Sequence, residues 1–212
     1  GVPPSGPMDS LNFRMANRLV GNRDDAAALE MTMRGGTFLF RTDAEIALAG
    51  GDFEVELNGK AALLYEAFHV SGGDVLRCGK SPHGHRLYLA VRGGIDVPAY
   101  MGSRSTFILG RFGGHAGRAL VAGDVLHIGN EFAEKRAYAK LEPEAVPAVP
   151  NAWEIAVMYG PHGAPEYFTG KDIAEFFAAE WKVHFNSSRT GVRLVGPQPE
   201  WARTDGGEAG LH

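Results

Sequence analysis

The chain has 212 residues, 44% of them hydrophobic and 22% charged, with a formal net charge of −4. That balance suits one large globular domain, or a domain and part of another, and it offers no lysine-rich run for nucleic acid or an anionic membrane surface. A single cysteine, Cys78, excludes an internal disulfide and a zinc knuckle, and its apolar strand-like setting predicts a buried, inert thiol. Twenty-nine glycines and twelve prolines lie between short apolar runs, so many turns and strands are expected in place of a helical bundle. No apolar run is long enough to span a bilayer and no signal peptide is evident, which makes the cytoplasm the default compartment.

The opening 22 residues, GVPPSGPMDSLNFRMANRLVGN, join a Pro/Gly-rich loop to a short amphipathic helix. Asp9 is placed to cap the first turn, Leu11, Met15 and Leu19 follow at helical spacing, and Gly21 with Asn22 supplies a stop. The loop reads either as a rigid surface turn or as a site lined by Ser5, Asp9 and backbone N–H groups.

Apolar and polar residues alternate over 29–34, and further strands are expected at 37–41, 45–49, 53–57 and 61–65, with a longer, central one at 87–91. Asn58 and Gly59 form a strong two-residue hairpin signal because both tolerate positive φ. Two segments, GGDVLRCG (72–79) and AGDVLHIG (122–129), each place Gly-Asp in a turn that launches a strand. They read as one turn chemistry used twice more readily than as a duplicated unit.

Between them, Arg92 to Asp96, Gly102 to Ser105 and Arg111 to Arg118 make three Gly-rich loops. Glycine pairs can aim backbone N–H groups at an anion and arginine suits a carboxylate; each loop alone reads more readily as a solvated turn, while three so close together point towards a site. Neither GxGxxG nor a P-loop is present, so ATP chemistry is not expected here. His83 and His85 share a strand face without a third ligand, and no metal is expected. No GxSxG elbow nominates a nucleophilic serine.

LEPEAVPAVP (141–150) is the best candidate boundary, an extended semi-rigid linker. Beyond it a strand is expected over 153–159, then a helix opened by the capping-box pattern Thr169 to Asp172, with Ile173, Phe176, Phe177 and Trp181 on one apolar, core-type face. Short strands at 183–185 and 192–195 flank the loop 186–191. By residues alone the chain is a β-rich domain with an anion-friendly, Gly-rich face.

The opening segment, together with YLAVRGGIDVPAYMGSRST, FGGHAGRALVAGDVLHIG, VMYGPH and NSSRTGVRLVGP, closely resembles the biotin-dependent carboxyltransferase family. The family is also known as allophanate hydrolase subunit 2 or the Kip antagonist type. The ending GPQPEWARTDGGEAGLH is most like its urea carboxylase branch. The resemblance implies a mainly β fold: a cyclophilin-like β-barrel module with a few short helices over 1–140, the linker 141–150, and an incomplete second module over 151–212. It implies carboxyltransferase chemistry in which CO2 passes from carboxybiotin to urea, or a similar small amide or amidine, to give allophanate. Biotin would be carried, and ATP used, on other domains. A biotin carboxylase, a biotin carrier and a Kip-inhibitor-like companion half would be the partners.

By the same resemblance Asp9, Arg189 and Glu208 are the expected catalytic residues, with Ser5, Arg104, His115, Ser188 and His212 binding substrate. Arg104 and Arg189 would hold anions, and Asp9 and Glu208 would accept from the amine. Neither the ATP-grasp segment nor the Met-Lys biotin acceptor of a complete carboxylase is present. The chain therefore reads as a fragment that is inactive in isolation. Guanidine carboxylase, a 5-oxoprolinase subunit and a Kip-antagonist-type regulatory binding protein are the alternatives.

Overall fold

In a computed structural model, residues 6–133, 139–150, 152–187 and 191–203 are described. The chain divides into two compact units, Gly1–Asn151 and Ala152–His212.

In the first unit, helix α1 (Ser10–Leu19) precedes eight strands. They are β1 (Leu29–Thr32), β2 (Thr37–Leu39), β3 (Ala44–Gly50), β4 (Val55–Leu57), β5 (Lys60–Ala61), β6 (Ala67–Val70), β7 (Val75–Cys78) and β8 (Arg86–Val91). All pairs are antiparallel, and they build two four-stranded sheets, ordered β1-β8-β3-β6 and β2-β7-β4-β5. The class is mainly β, as expected. The described ladders form two sheets around a shared core, without the continuous hydrogen-bonded ring of a closed barrel.

The period-2 pleat explains how β8 serves both sides of its sheet. Leu87, Leu89 and Val91 point into the core shared with the second sheet, beside Ile46, Leu48, Val70 and Leu76. Tyr88 and Ala90 point the other way, where Ala47 and Ala49 join them under α1. Three alanines on that face leave room for the helix to lay Ala16 and Leu19 directly on the sheet. Burial at this level contributes roughly 1.5–3 kcal/mol for each large apolar side chain.

The helix buries Leu19 and packs Met15 against the core as expected, but Leu11 is not on the buried face. Leu11 is 52% exposed, whereas Asn12, Ala16, Asn17 and Leu19 are buried. Only Leu11 falls outside the buried face, because Asn12 and Asn17 take places on it by finding hydrogen-bond partners beneath the helix. Its ends are as expected: Asp9 caps the start, and Gly21 (φ 72) ends it in a Schellman arrangement, Gly21 N to Arg18 O and Asn22 N to Asn17 O.

The Asn58-Gly59 turn has φ of 52 and 78 and closes the β4–β5 hairpin. The two Gly-Asp segments share their turn and little else. Asp74 accepts from Ser71 N and Asp124 from Val121 N, both at 2.8 Å. Only the first launches a strand, β7; the second reaches a lone bridge from Ile95 to Ile128. Cys78 is buried, and that burial pushes its thiol up to about 12. Residues 141–150 belong to the first unit: Leu141 N donates to Tyr65 O, and Leu141 and Val146 pack against the core cluster that holds Ala16 and Leu19 of α1.

The second unit holds helix α2 (Gly170–Ala178) and a short antiparallel pair, β9 (Lys182–Val183) and β10 (Leu194–Val195). The Thr169 capping box forms as expected, with Asp172 in the acidic role. Residues 153–159 form no strand among the described residues, and Trp153, Ile155, Val157, Met158 and Tyr159 are exposed. The run has the right residues, but a strand needs a neighbour to satisfy its backbone, and among the described residues no strand pairs with it. Nor is the expected apolar face of α2 a core: Phe177 is 66% exposed, and Phe176 instead stacks with Trp181.

Candidate functional site

Asp9 sits where the opening loop enters α1. Its Oδ1 accepts from Leu11 N (3.1 Å) and Asn12 N (3.0 Å), and its Oδ2 from Asn12 Nδ2 (2.6 Å). The carboxylate is thus bound by three donors, a cap more complete than most. Asn12 Oδ1 faces the hydroxyl of Tyr65 at 2.9 Å, and that hydroxyl also touches Gly50 O (2.7 Å) and Gly50 N (3.1 Å). Burial pushes the Tyr65 hydroxyl up to about 12, so the network is held by a neutral phenol.

On the other side of the cap, Asp9 N donates to Tyr88 Oη (2.8 Å), which donates to Glu30 Oε2 (2.9 Å). Met8 N donates to the same Glu30 oxygen at 2.8 Å. Burial raises the Tyr88 hydroxyl above the usual tyrosine range, and the Glu30 charge adds to it. Sequence reasoning did not nominate Asn12, Glu30, Tyr65 or Tyr88. The only available signal was a tyrosine within the apolar run of β8, since the links Tyr65–Asn12, Tyr88–Glu30 and Asp9–Tyr88 span 53, 58 and 79 residues of the chain.

The first Gly-rich loop is structural and does not offer its N–H groups to an anion. Gly93 N donates to Asn22 Oδ1 and Gly94 N to Val91 O, while Arg92 donates to Val20 O and lies over the Phe132 ring. A Cβ on Gly93 would run into the Gly129 carbonyl, so the glycine serves close backbone packing. In the third loop, Gly114 is required by the Thr106 side chain in the same way. Arg118 there makes a two-pronged pair with Asp124, both contacts at 2.7 Å, and that pairing holds the Asp124 carboxyl well below the usual range.

Arg104, from the second loop, donates to Glu131 Oε1 at 2.7 Å, and Glu131 Oε2 stands 3.3 Å from Arg23. Arg23 N also bonds Glu131 O, which fixes this ion pair just past the C-terminal end of α1. Asp9 is at the opposite end of a ten-residue helix, about 15 Å away. Asp9 and Arg104 are therefore not brought together by direct contact. His115 Nε2 lies 3.7 Å from Asp124 Oδ1, in the cluster with Arg118. Ser5, Ser188, Arg189, Glu208 and His212 lie outside the described residues. No three His, Cys, Asp or Glu side chains are grouped to hold a metal ion among the described residues, and no described helix is long and apolar enough to cross a membrane.

The first unit is thus a β-rich body with a capped helix over one sheet and arginine-bearing loops beyond it. The whole chain, residues 1–212, matches the family described as carboxyltransferase domain, subdomain A and B, and the chain belongs to that family. It is 51% identical to a urea amidolyase of Lachancea kluyveri over 224 residues, covering 100% of this chain and 12% of that protein. It is similar to the crystal structure of the K. lactis urea amidolyase, with a TM-score of 0.88 and 46% identity over 96% of this chain and 13% of that one. A 5-oxoprolinase subunit of Escherichia coli is 36% identical over 198 residues, covering 92% of this chain and 61% of that protein. The chain thus spans about an eighth of the length of the urea amidolyases it matches.

Proposed function

We propose that this chain is part of the carboxyltransferase domain of a biotin-dependent urea carboxylase working in the cytoplasm. The observation that carries the reading is the 51% identity to a urea amidolyase across the whole chain, against 36% to a 5-oxoprolinase subunit. Biotin, borne on a carrier domain and charged by an ATP-using biotin carboxylase domain, supplies an activated carboxyl group for transfer to urea, giving allophanate. A Kip-inhibitor-like companion half completes the site, and the isolated chain is inactive without it.

Within this reading Arg104 holds a carboxylate. It is partly exposed, spends one N–H on Glu131 and has a planar fork suited to a second acidic partner. Arg189 is the second anion holder, while Ser5, Ser188, His115 and His212 line the substrate. Glu208 takes the proton from the attacking nitrogen. Asp9 was expected to share that task; with three donors on its carboxylate, its geometry favours orienting the opening loop.

The test is ATP turnover by the intact protein with bicarbonate and each of urea, guanidine and 5-oxoproline, with and without avidin. Avidin-sensitive turnover fastest on urea is expected. Avidin-insensitive turnover on 5-oxoproline would overturn the reading, and a preference for guanidine would reassign the substrate.

A further inference from the structure

Glu30 and Tyr88 face each other across the β1–β8 ladder, as direct register partners on the face that carries α1. Arg86, two residues before Tyr88, shares that face, and its buried Nε stands 3.5 Å from Glu30 Oε1. Glu30 Oε2 takes Met8 N, while Tyr88 takes Asp9 N and returns its own proton to Glu30. Two consecutive amides of the opening loop are thus bound by two side chains rooted in paired strands, the edge strand β1 and the central strand β8. Neither amide has a helical carbonyl to pair with, because Asp9 is the N-cap of α1 and Met8 precedes it.

We infer that Glu30 and Tyr88 are positioning residues for carboxyl transfer: they clamp the Met8 and Asp9 amides and thereby set the direction of the opening loop at the transfer site. The inference rests on the carboxyltransferase reading above. The geometry favours positioning over folding alone. The apolar packing of α1 on Ala47, Ala49 and Ala90 does not involve the Tyr88 hydroxyl or the Glu30 carboxylate, and Asp9 caps the helix through its own side chain. The clamp acts only on backbone ahead of the helix. A loop displaced by even an ångström is enough to cost a transfer reaction tenfold or more.

The experiment compares Tyr88→Phe, Glu30→Ala and Glu30→Gln with wild type in the intact protein. Three readouts are taken: urea-dependent turnover, the biotin-carboxylating partial reaction without urea, and amide exchange of the peptide spanning residues 6–12. Tyr88→Phe and Glu30→Ala are expected to lower kcat on urea about tenfold. They should leave the partial reaction and the KM for bicarbonate within twofold and speed exchange of that peptide. Glu30→Gln keeps an oxygen acceptor and is expected to recover most of the loss. Wild-type kcat in both Tyr88→Phe and Glu30→Ala would overturn the inference, as would equal loss of the partial reaction. So would equal defects in Glu30→Gln and Glu30→Ala. If Tyr88→Phe does not fold, the two Glu30 variants decide. If wild type shows no urea-dependent turnover while the peptide still loses protection in the variants, it is the carboxylase reading that has failed.

Discussion

Asn22 donates through Nδ2 to Asn17 Oδ1 over 3.0 Å, with both side chains buried where α1 ends. The pair is fully used: Asn17 Nδ2 reaches Ala26 O, and Asn22 spans Val91 O and Gly93 N. Replacing Asn22 by Ala would strand a buried N–H and a buried carbonyl together, a loss of about 3 kcal/mol. Denaturant unfolding should show that loss, whereas Asn130→Ala on the exposed surface should stay within about 0.5 kcal/mol of wild type.

What the sequence makes legible follows from how local each signal is. Asn58 and Gly59 announce their hairpin because positive φ is a property of those two residues, and Thr169 with Asp172 announces a capping box for the same reason. Turn chemistry at Asp74 and Asp124 was readable too, but a strand after Asp124 depended on a neighbour that sequence cannot show. The strand expected over 153–159 failed on the same point. Leu11 misled because apolar spacing says nothing of a buried Asn12 whose partner, Tyr65, is 53 residues away. At the site, Asp9 was legible as a cap, yet its link through Tyr88 to Glu30 arises only when β1 and β8 pair. The Gly93 loop looked anion-ready because its consumer, Asn22, lies 71 residues earlier.

Tyr65 makes the fold sensitive to alkali. Its hydroxyl is pushed up to about 12 by burial, so the folded state favours the neutral phenol. The contribution is complete below the unfolded tyrosine value of about 10 and is lost as pH rises from there through the folded value. Tyr65→Phe is expected to cost about 1–2 kcal/mol at neutral pH, since Gly50 and Asn12 lose their partner. Melting temperatures followed from pH 8 to 12 should show the gap between wild type and Tyr65→Phe narrowing above about pH 10. A constant gap would mean that the hydroxyl does not titrate with folding.

Asp124 has the opposite sign. The Arg118 side chain is the main cause of its lowered carboxyl, helped by Val121 N, so the folded state favours the carboxylate. That contribution is present above the unfolded value of about 3.9 and is lost as pH falls below it towards the folded value. Asp124→Asn should therefore melt earlier than wild type at pH 6, with the difference closing on acidification below about pH 4.

Arg104 is the described residue with the clearest claim to hold a substrate carboxylate, and its existing pair with Glu131 supplies the control. If the arginine only braces the loop, Arg104→Ala and Glu131→Gln remove the same ion pair and should be equally harmful. If it also binds an anion, Arg104→Ala loses both contacts, whereas Glu131→Gln leaves the guanidinium in place and gives up only its anchor. The expected result is a fall in kcat/KM on urea of at least about tenfold in Arg104→Ala, clearly beyond that in Glu131→Gln. Arg104→Lys should recover little, because an ammonium cannot serve Glu131 and a second carboxylate through one planar fork. Steady-state kinetics on the intact protein decide it: equal losses in Arg104→Ala and Glu131→Gln would reduce Arg104 to a brace.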